Sequence, residues 1–248
     1  MNLVVVEDYA ALCRAVAGRI ASLARVHPAA VLGLPTGETP LGAYRELARR
    51  VRNEELDLSR LTLFALNEYL DVGRGDPRCL ADWLHREFVG PCRIDPVRVL
   101  APDGQATEPA LACADYEAAI ARAGGIDLQL LGLGSNGHVG FNEPLSPPDS
   151  RTRVVRLAPE SIASDARYWG GPDKVPHYGV TLGIGTIMEA REILLLVSGV
   201  AKAGILKEAL EGPLTSAIPA SLLRPHPRFT LIADQHAAAY LESLEAEG

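Results

Sequence analysis

Along most of this chain, short apolar runs alternate with longer stretches in which apolar residues return every three or four positions. Residues 3–6, 29–34, 61–66, 127–133, 192–197 and 228–233 are strand-sized and nearly continuous in apolar character, the pattern of strands buried on both faces. Between them, residues 8–26 carry Leu12, Val16, Ile20 and Leu23 at helical spacing and stop at His27-Pro28. A second helix is predicted from Pro40 to about Arg52 with Thr39 as its N-cap. Others are predicted over 78–89, 109–123 (Leu111, Tyr116 and Ile120 on one face), 159–169, 200–210 and 235–245. Residues 97–100, 152–157 and 178–182 read as further short strands, and 183–190 and 219–223 as short helical turns. This alternation predicts an α/β protein: three α/β/α layers around a mostly parallel, Rossmann-like sheet. With no repeat, low-complexity segment or long linker, residues 1–248 read as one domain, and 144–151 as its most flexible stretch.

Composition narrows the function. The chain has 248 residues, 48% of them hydrophobic, enough for a substantial core. A net charge of -7 with no basic run argues against a nucleic-acid partner. No apolar run is long enough for a transmembrane helix, and the start lacks the basic region and cleavage site of a signal peptide. Cys13, Cys79, Cys92 and Cys113 are scattered without a C-x-x-C, so neither zinc nor a disulfide framework is expected, and a reduced cytoplasmic protein is.

The chemistry gathers where predicted strands end. After the run 127–133 comes Gly134-Ser135-Asn136-Gly137-His138-Val139-Gly140-Phe141-Asn142-Glu143-Pro144, a glycine-rich turn carrying a histidine and a carboxylate. Ligands of open α/β sheets bind outside such carboxyl ends. Gly132, Gly134 and Gly137 fit G-x-G-x-x-G, but prolines follow where a dinucleotide fold needs a helix, and no acid stands near 152–158. A second turn, Pro35-Thr36-Gly37-Glu38-Thr39, leads from a strand into a helix, where backbone N–H groups and the helix dipole favour an anion. Taken alone, it reads equally well as an ordinary connection. Asn67-Glu68 and residues 198–202 complete four such strand ends. Lys202, in the first turn of a predicted helix, opposes the dipole unless an anion is bound. Arg167 is a second cation; taken singly, both read as solvated surface residues.

Together, Leu-Pro-Thr-Gly-x-Thr-Pro at 34–40 and Asn-Gly-His-Val-Gly-Phe-Asn-Glu-Pro at 136–144 resemble the glucosamine-6-phosphate deaminase (isomerase) family, related to 6-phosphogluconolactonase. Ser150-Arg151-Thr152-Arg153, Val175-Pro176-His177-Tyr178 and Leu182-Gly183-Ile184-Gly185-Thr186 extend the likeness over nearly the whole chain. The resemblance implies a sugar-phosphate isomerase type of fold and a 2-amino-2-deoxyhexose 6-phosphate as ligand. Its phosphate would lie on Pro35, Thr36, Gly37, Glu38 and Thr39, beside Gly137, Arg167 and Lys202. His138 would open the sugar ring, oriented by Glu143 and Asn136, the logic of catalytic triads turned to another task. A base would then move the C2 proton to C1 and ammonia would leave, giving fructose 6-phosphate. No metal or organic cofactor is implied.

The sequence departs from that family at Asn67, where an aspartate carbon base is expected; an amide offers no basic oxygen at neutral pH. Three outcomes stay open: Glu68 serves as base, the protein hydrolyses a phosphosugar lactone, or it binds a sugar phosphate without turnover. Neighbouring strand residues face opposite ways, which counts against Glu68 unless the strand end bends. Glu38 fills a slot expected to hold Gly or Ser, and its side chain is expected to point away from the phosphate. Asn136 keeps hydrogen-bonding capacity, and Cys79-Leu80 replaces an expected Ser-Tyr. Pro147-Pro148 and Val155 differ from allosteric relatives, so no amino-sugar activation is expected; the short tail after Glu245 favours a monomer or small homo-oligomer.

Overall fold

The computed structural model describes residues 1–241. Its strands are β1 (Asn2–Val6), β2 (Val31–Leu34), β3 (Thr62–Ala65), β4 (Asn67–Tyr69), β5 (Val99–Leu100), β6 (Leu128–Gly132), β7 (Arg153–Arg156), β8 (Tyr178–Thr181), β9 (Ile193–Val197) and β10 (Phe229–Asp234). The α-helices are α1 (Tyr9–Val26), α2 (Glu38–Arg52), α3 (Leu80–Leu84), α4 (Pro109–Arg122), α5 (Pro159–Trp169), α6 (Ile184–Met188) and α7 (Ala203–Glu211). Seven strands form one sheet in the order β1-β10-β9-β6-β2-β3-β5, every pair parallel.

Period-two alternation splits the apolar side chains between two layers. Leu32, Leu34, Leu128, Leu130, Leu194 and Leu196 meet α1 and α2 on one face. Val31, Leu131, Leu195 and Leu231 meet α4, α6 and α7 on the other. Full burial of each such side chain stabilises the fold by about 1.5–3 kcal/mol, so the three-layer arrangement follows from the runs that predict it.

A second sheet is not foreseen by the pattern. β4, β8 and β7 pair antiparallel in the order β4-β8-β7, with Asn67 opposite Thr181 and Tyr69 opposite Gly179. Residues 66–67 therefore mark a step from the large sheet to the small one: the Leu66 N–H donates to Leu34 O (2.9 Å), and its carbonyl accepts from Leu182 N (2.9 Å). Tyr69 packs its ring against Phe141 and Trp169, each at a centroid distance of 5.2 Å, and roots a third, smaller apolar cluster.

Several local expectations are corrected. α2 begins at Glu38 rather than after a Thr39 cap, because Gly37, at φ +96°, turns the chain two residues earlier. The helix predicted over 78–89 is α3 followed by a π-helical turn, His85–Val89. Leu111 is exposed; the buried stripe of α4 is Cys113, Tyr116 and Ile120, and Leu111 lies off it. Residues 235–240 form turns instead of a helix, anchored where Asp234 accepts from Ala237 N (2.8 Å); the remainder of that predicted helix, 242–245, lies outside the described residues. The stretch 144–151 is pinned rather than loose. Leu145 N donates to Ser216 O (2.7 Å), Gly185 N to Ser150 O (2.9 Å), and Arg153 donates to Ser146 Oγ (3.0 Å).

The strand order locates the site. From β2 the chain builds outward through β3 to β5; from β6 it builds the opposite way through β9 to β10. The boundary between β2 and β6 is thus a topological switch point, where turns leaving the strand ends part and open a crevice.

Candidate functional site

The turn after β2 and the turn after β6 flank this crevice, and the turn after β9 adjoins it. Parallel neighbours lie about 4.8 Å apart, so β2, β6 and β9 bring residues 36–39, 134–143 and 198–202 to one edge of the sheet. The turn after β6 lies close against α7, the helix that follows the turn after β9. A Cβ at Gly137, whose φ is +86°, would come within 3.3 Å of Ile205 Cδ1 on α7. Ile205 is one helical turn beyond Lys202, so His138 and Lys202 belong to the same side of the molecule.

His138 is held from several directions. Its Nδ1 lies 2.8 Å from Asn136 Oδ1, 3.2 Å from Ser161 Oγ on α5 and 3.4 Å from Glu143 Oε2. Asn136 in turn donates from Nδ2 to Glu143 Oε2 (3.0 Å), and the other Glu143 oxygen accepts from Ala158 N (3.1 Å) just ahead of α5. Burial pushes the Glu143 carboxyl up, but the hydrogen bonds and charge of His138, with Ser161 and Asn136, outweigh it and hold the pKa at about 2. The imidazole's opposite edge lies over Gly134: a Cβ there would stand 2.3 Å from Nε2. Only glycine leaves room for the ring, an assignment that the three-glycine pattern by itself did not supply.

The loop bearing His138 is fixed to the small sheet. Asn142, fully buried, donates to Val139 O (3.0 Å) and Leu182 O (2.8 Å) and accepts from Arg153 (2.9 Å). Phe141 N donates to Thr181 Oγ1 (3.1 Å). Arg153, on β7, is driven below the usual guanidinium pKa by burial.

The turn expected to hold the anion is built differently. No side chain caps the start of α2, so its first amides are left for a ligand. Tyr44 braces this turn by donating to Pro35 O (2.8 Å). Lys202 ends the 3-10 turn Val200–Lys202 and directly precedes α7. Burial pushes its amine below the usual lysine pKa, and among the described residues it has no ion-pair or hydrogen-bond partner. Arg167, near the end of α5, pairs with Glu38 at 2.9 Å, both side chains well exposed. Glu38 is therefore turned toward the expected phosphate cation, not away from the site; opposite charges across the crevice draw it there. Ser161 and Arg167 are six residues apart, about 9 Å along a helix, so α5 spans from the imidazole to the turn after β2.

Asn67 and Glu68 part company. Asn67 is 7% exposed and its amide makes no hydrogen bond among the described residues, yet neither of its polar atoms is sealed from solvent. Glu68 is 2% exposed and saturated: Oε1 accepts from Tyr69 N (2.8 Å) and Leu80 N (3.1 Å), Oε2 from Ala81 N (2.9 Å) and the Cys79 thiol (3.3 Å). It serves the first amides of α3. Burial raises its pKa despite these donors. Sequence reasoning missed Ser161, Tyr69 and Asp165; Tyr69 Oη donates to Asp165 Oδ2 (2.7 Å). The only signal was the one-turn spacing of Ser161 and Asp165 on α5, uninformative until the helix's inner face is known. Among the described residues no three His, Cys, Asp or Glu side chains gather as metal ligands could, and no helix is long and apolar enough to cross a membrane.

Residues 7–232 match the family model described as glucosamine-6-phosphate isomerases/6-phosphogluconolactonase. A glucosamine-6-phosphate deaminase of Halothermothrix orenii is 41% identical over 97% of this chain and all of its own length. One from Rhodopirellula baltica is 43% identical over 98% and 96%. The solved structure of a monomeric glucosamine-6-phosphate deaminase superposes with a TM-score of 0.94 at 37% identity, covering 97% of this chain and 100% of the other. The 6-phosphogluconolactonase of Trypanosoma brucei, at 20% identity, shares the fold with a TM-score of 0.79 over 97% and 98%.

Proposed function

Since the chain belongs to the glucosamine-6-phosphate isomerase/6-phosphogluconolactonase family, we propose that it is an amino-sugar phosphate deaminase-isomerase. It takes glucosamine 6-phosphate, or a close relative, and water to fructose 6-phosphate and ammonia. The observation that carries this reading is α5, which reaches from Ser161 at the imidazole to Arg167 at the anion turn, a span suited to a hexose phosphate. In this reading the phosphate lies on the amides of 36–39, with Lys202 as its counter-charge and Arg167 released from Glu38. His138, oriented by Asn136 and Glu143, moves the proton that opens the ring; a preset imidazole needs no reorganisation when charge develops. Glu68 is structural. Its substrate, charged and unable to cross membranes, would place the protein in the cytoplasm, and we expect a monomer or small homo-oligomer.

The test is to incubate the protein with glucosamine 6-phosphate and follow ammonia and ketose together. Release of both in equal amounts is expected; neither appearing would overturn the reading. One observation favours a second reading, hydrolysis of a phosphosugar lactone: Asn67 stands where proton abstraction at carbon needs a carboxylate. Acid release from 6-phosphogluconolactone without ammonia from the amino sugar would establish it instead.

A further inference from the structure

Proton abstraction from carbon needs a basic group within reach of the bound sugar. Glu68 does not offer one, since four donors occupy its two oxygens. It also leaves β4 on the opposite face from Asn67. Tyr69, two residues on, leaves β4 on the same face as Asn67, and its hydroxyl ends on Asp165 Oδ2 at 2.7 Å. Asp165 therefore stands over the face from which the Asn67 amide projects.

Three further features bear on Asp165. It lies one helical turn beyond Ser161, whose hydroxyl touches the imidazole at 3.2 Å; that step is about 6 Å on one helix face. It precedes Arg167 at the anion turn, so it sits between the two ends that the ligand must join. Its Oδ1, unlike the oxygens of Glu68, accepts no hydrogen bond among the described residues and is not sealed from solvent. Burial also raises its carboxyl above the usual range, against the hydrogen bond from Tyr69 and the charges of His138 and Arg167. That direction improves a base near neutral pH.

We propose that Asp165 is the carbon base of this protein, taking the C2 proton that Asn67 cannot accept, with the carboxylate delivered from α5 instead of from the start of β4. This assignment rests on the deaminase reading above. In the opened sugar the C2–H bond breaks, and its electron pair becomes the C1–C2 double bond as the carbonyl oxygen takes up a proton from solvent. Asp165 then returns its proton to C1. The nitrogen lone pair forms the C2 iminium, which water hydrolyses to the ketone and ammonium. Tyr69 steers the carboxylate through Oδ2 and leaves Oδ1 for the proton.

The experiment compares wild type, Asp165→Asn and the double variant Asn67→Asp/Asp165→Asn. It measures ammonia release from glucosamine 6-phosphate and exchange of its C2 hydrogen with solvent deuterium. Binding of 2-amino-2-deoxyglucitol 6-phosphate, which has no carbonyl and cannot react, serves as the check on the site. Asp165→Asn is expected to lose about 10²–10⁴-fold in both turnover and exchange. It should still bind the glucitol phosphate within about threefold of wild type, as removal of a purely chemical group predicts. The double variant, with its carboxylate restored across the crevice, should regain at least about tenfold. Turnover and exchange in Asp165→Asn within about threefold of wild type would overturn the assignment while leaving the deaminase reading intact. So would a double variant no better than the single one. Absence of ammonia from wild type would overturn the deaminase reading, and the base with it.

Discussion

The two sheets of this molecule make opposite contributions to the proposed site. The large sheet is parallel, apolar on both faces and covered by helices, and its strand ends supply the proposed anion side: amides at the start of α2 that no side chain caps, and before α7 a Lys202 amine without a partner among the described residues. The small sheet is antiparallel and partly exposed, and it supplies the frame of the proposed reacting side. Thr181, Arg153 and the carbonyl next to β8 hold the His138 loop, while Tyr69 reaches Asp165. The large sheet would hold its shape whatever ligand it bound, because its stability comes from buried side chains. The small one has little core of its own and is shaped by hydrogen bonds to the loop that it supports. Binding and chemistry are therefore separable by mutation.

The sharpest break is Gly134→Ala. A methyl 2.3 Å from the imidazole must displace it, and a shift of about 1 Å in a catalytic group can cost on the order of 10²-fold. Steady-state kinetics should show that loss in kcat, with KM for glucosamine 6-phosphate little changed; a change confined to KM would contradict the division between the sheets. Lys202→Met should do the reverse. Loss of a charge-assisted contact costs about 1.5–3 kcal/mol, so KM should rise roughly ten- to a hundredfold with a smaller change in kcat.

Next comes the clamp between the sheets. Glu117, on α4, accepts from Thr152 N (2.7 Å) beside β7, from both the Thr152 and Thr186 hydroxyls, and pairs with Arg151. Burial raises its carboxyl, but these partners prevail and lower it. Glu117→Gln should lower stability by about 1–3 kcal/mol in denaturant unfolding; no change would show that the small sheet is held without it. Acid titration tests the same seam. Glu143, held at about 2 when folded, contributes stability that is fully present above the unfolded carboxyl pKa of about 4.3 and is lost as pH falls toward 2. Glu117, lowered in the same sense, adds to that loss. The melting temperature should fall over this window, less steeply in Glu143→Gln than in wild type. The smallest effect is expected of Glu38→Ser. An exposed ion pair is worth about 0–1 kcal/mol, so freeing Arg167 should lower KM by up to about fivefold.

Much of this was legible along the chain. Continuous apolar runs can satisfy themselves only as strands covered on both faces, so the three layers followed from local pattern, as did the strand-end turns carrying Thr36, His138 and Lys202. What the chain order hid was which turns become neighbours: β2 and β6, 94 residues apart from Leu34 to Leu128, meet because the topology reverses there. Helical and strand periods reveal that a face exists, not what it meets. The roles of Gly134, Ser161 and Tyr69, the saturation of Glu68 and the placing of Asp165 against the Asn67 face therefore depended on contacts across the fold. Burial of apolar side chains is a property of short segments, whereas the directed hydrogen bonds that assign a carboxylate its task form only after distant segments have packed.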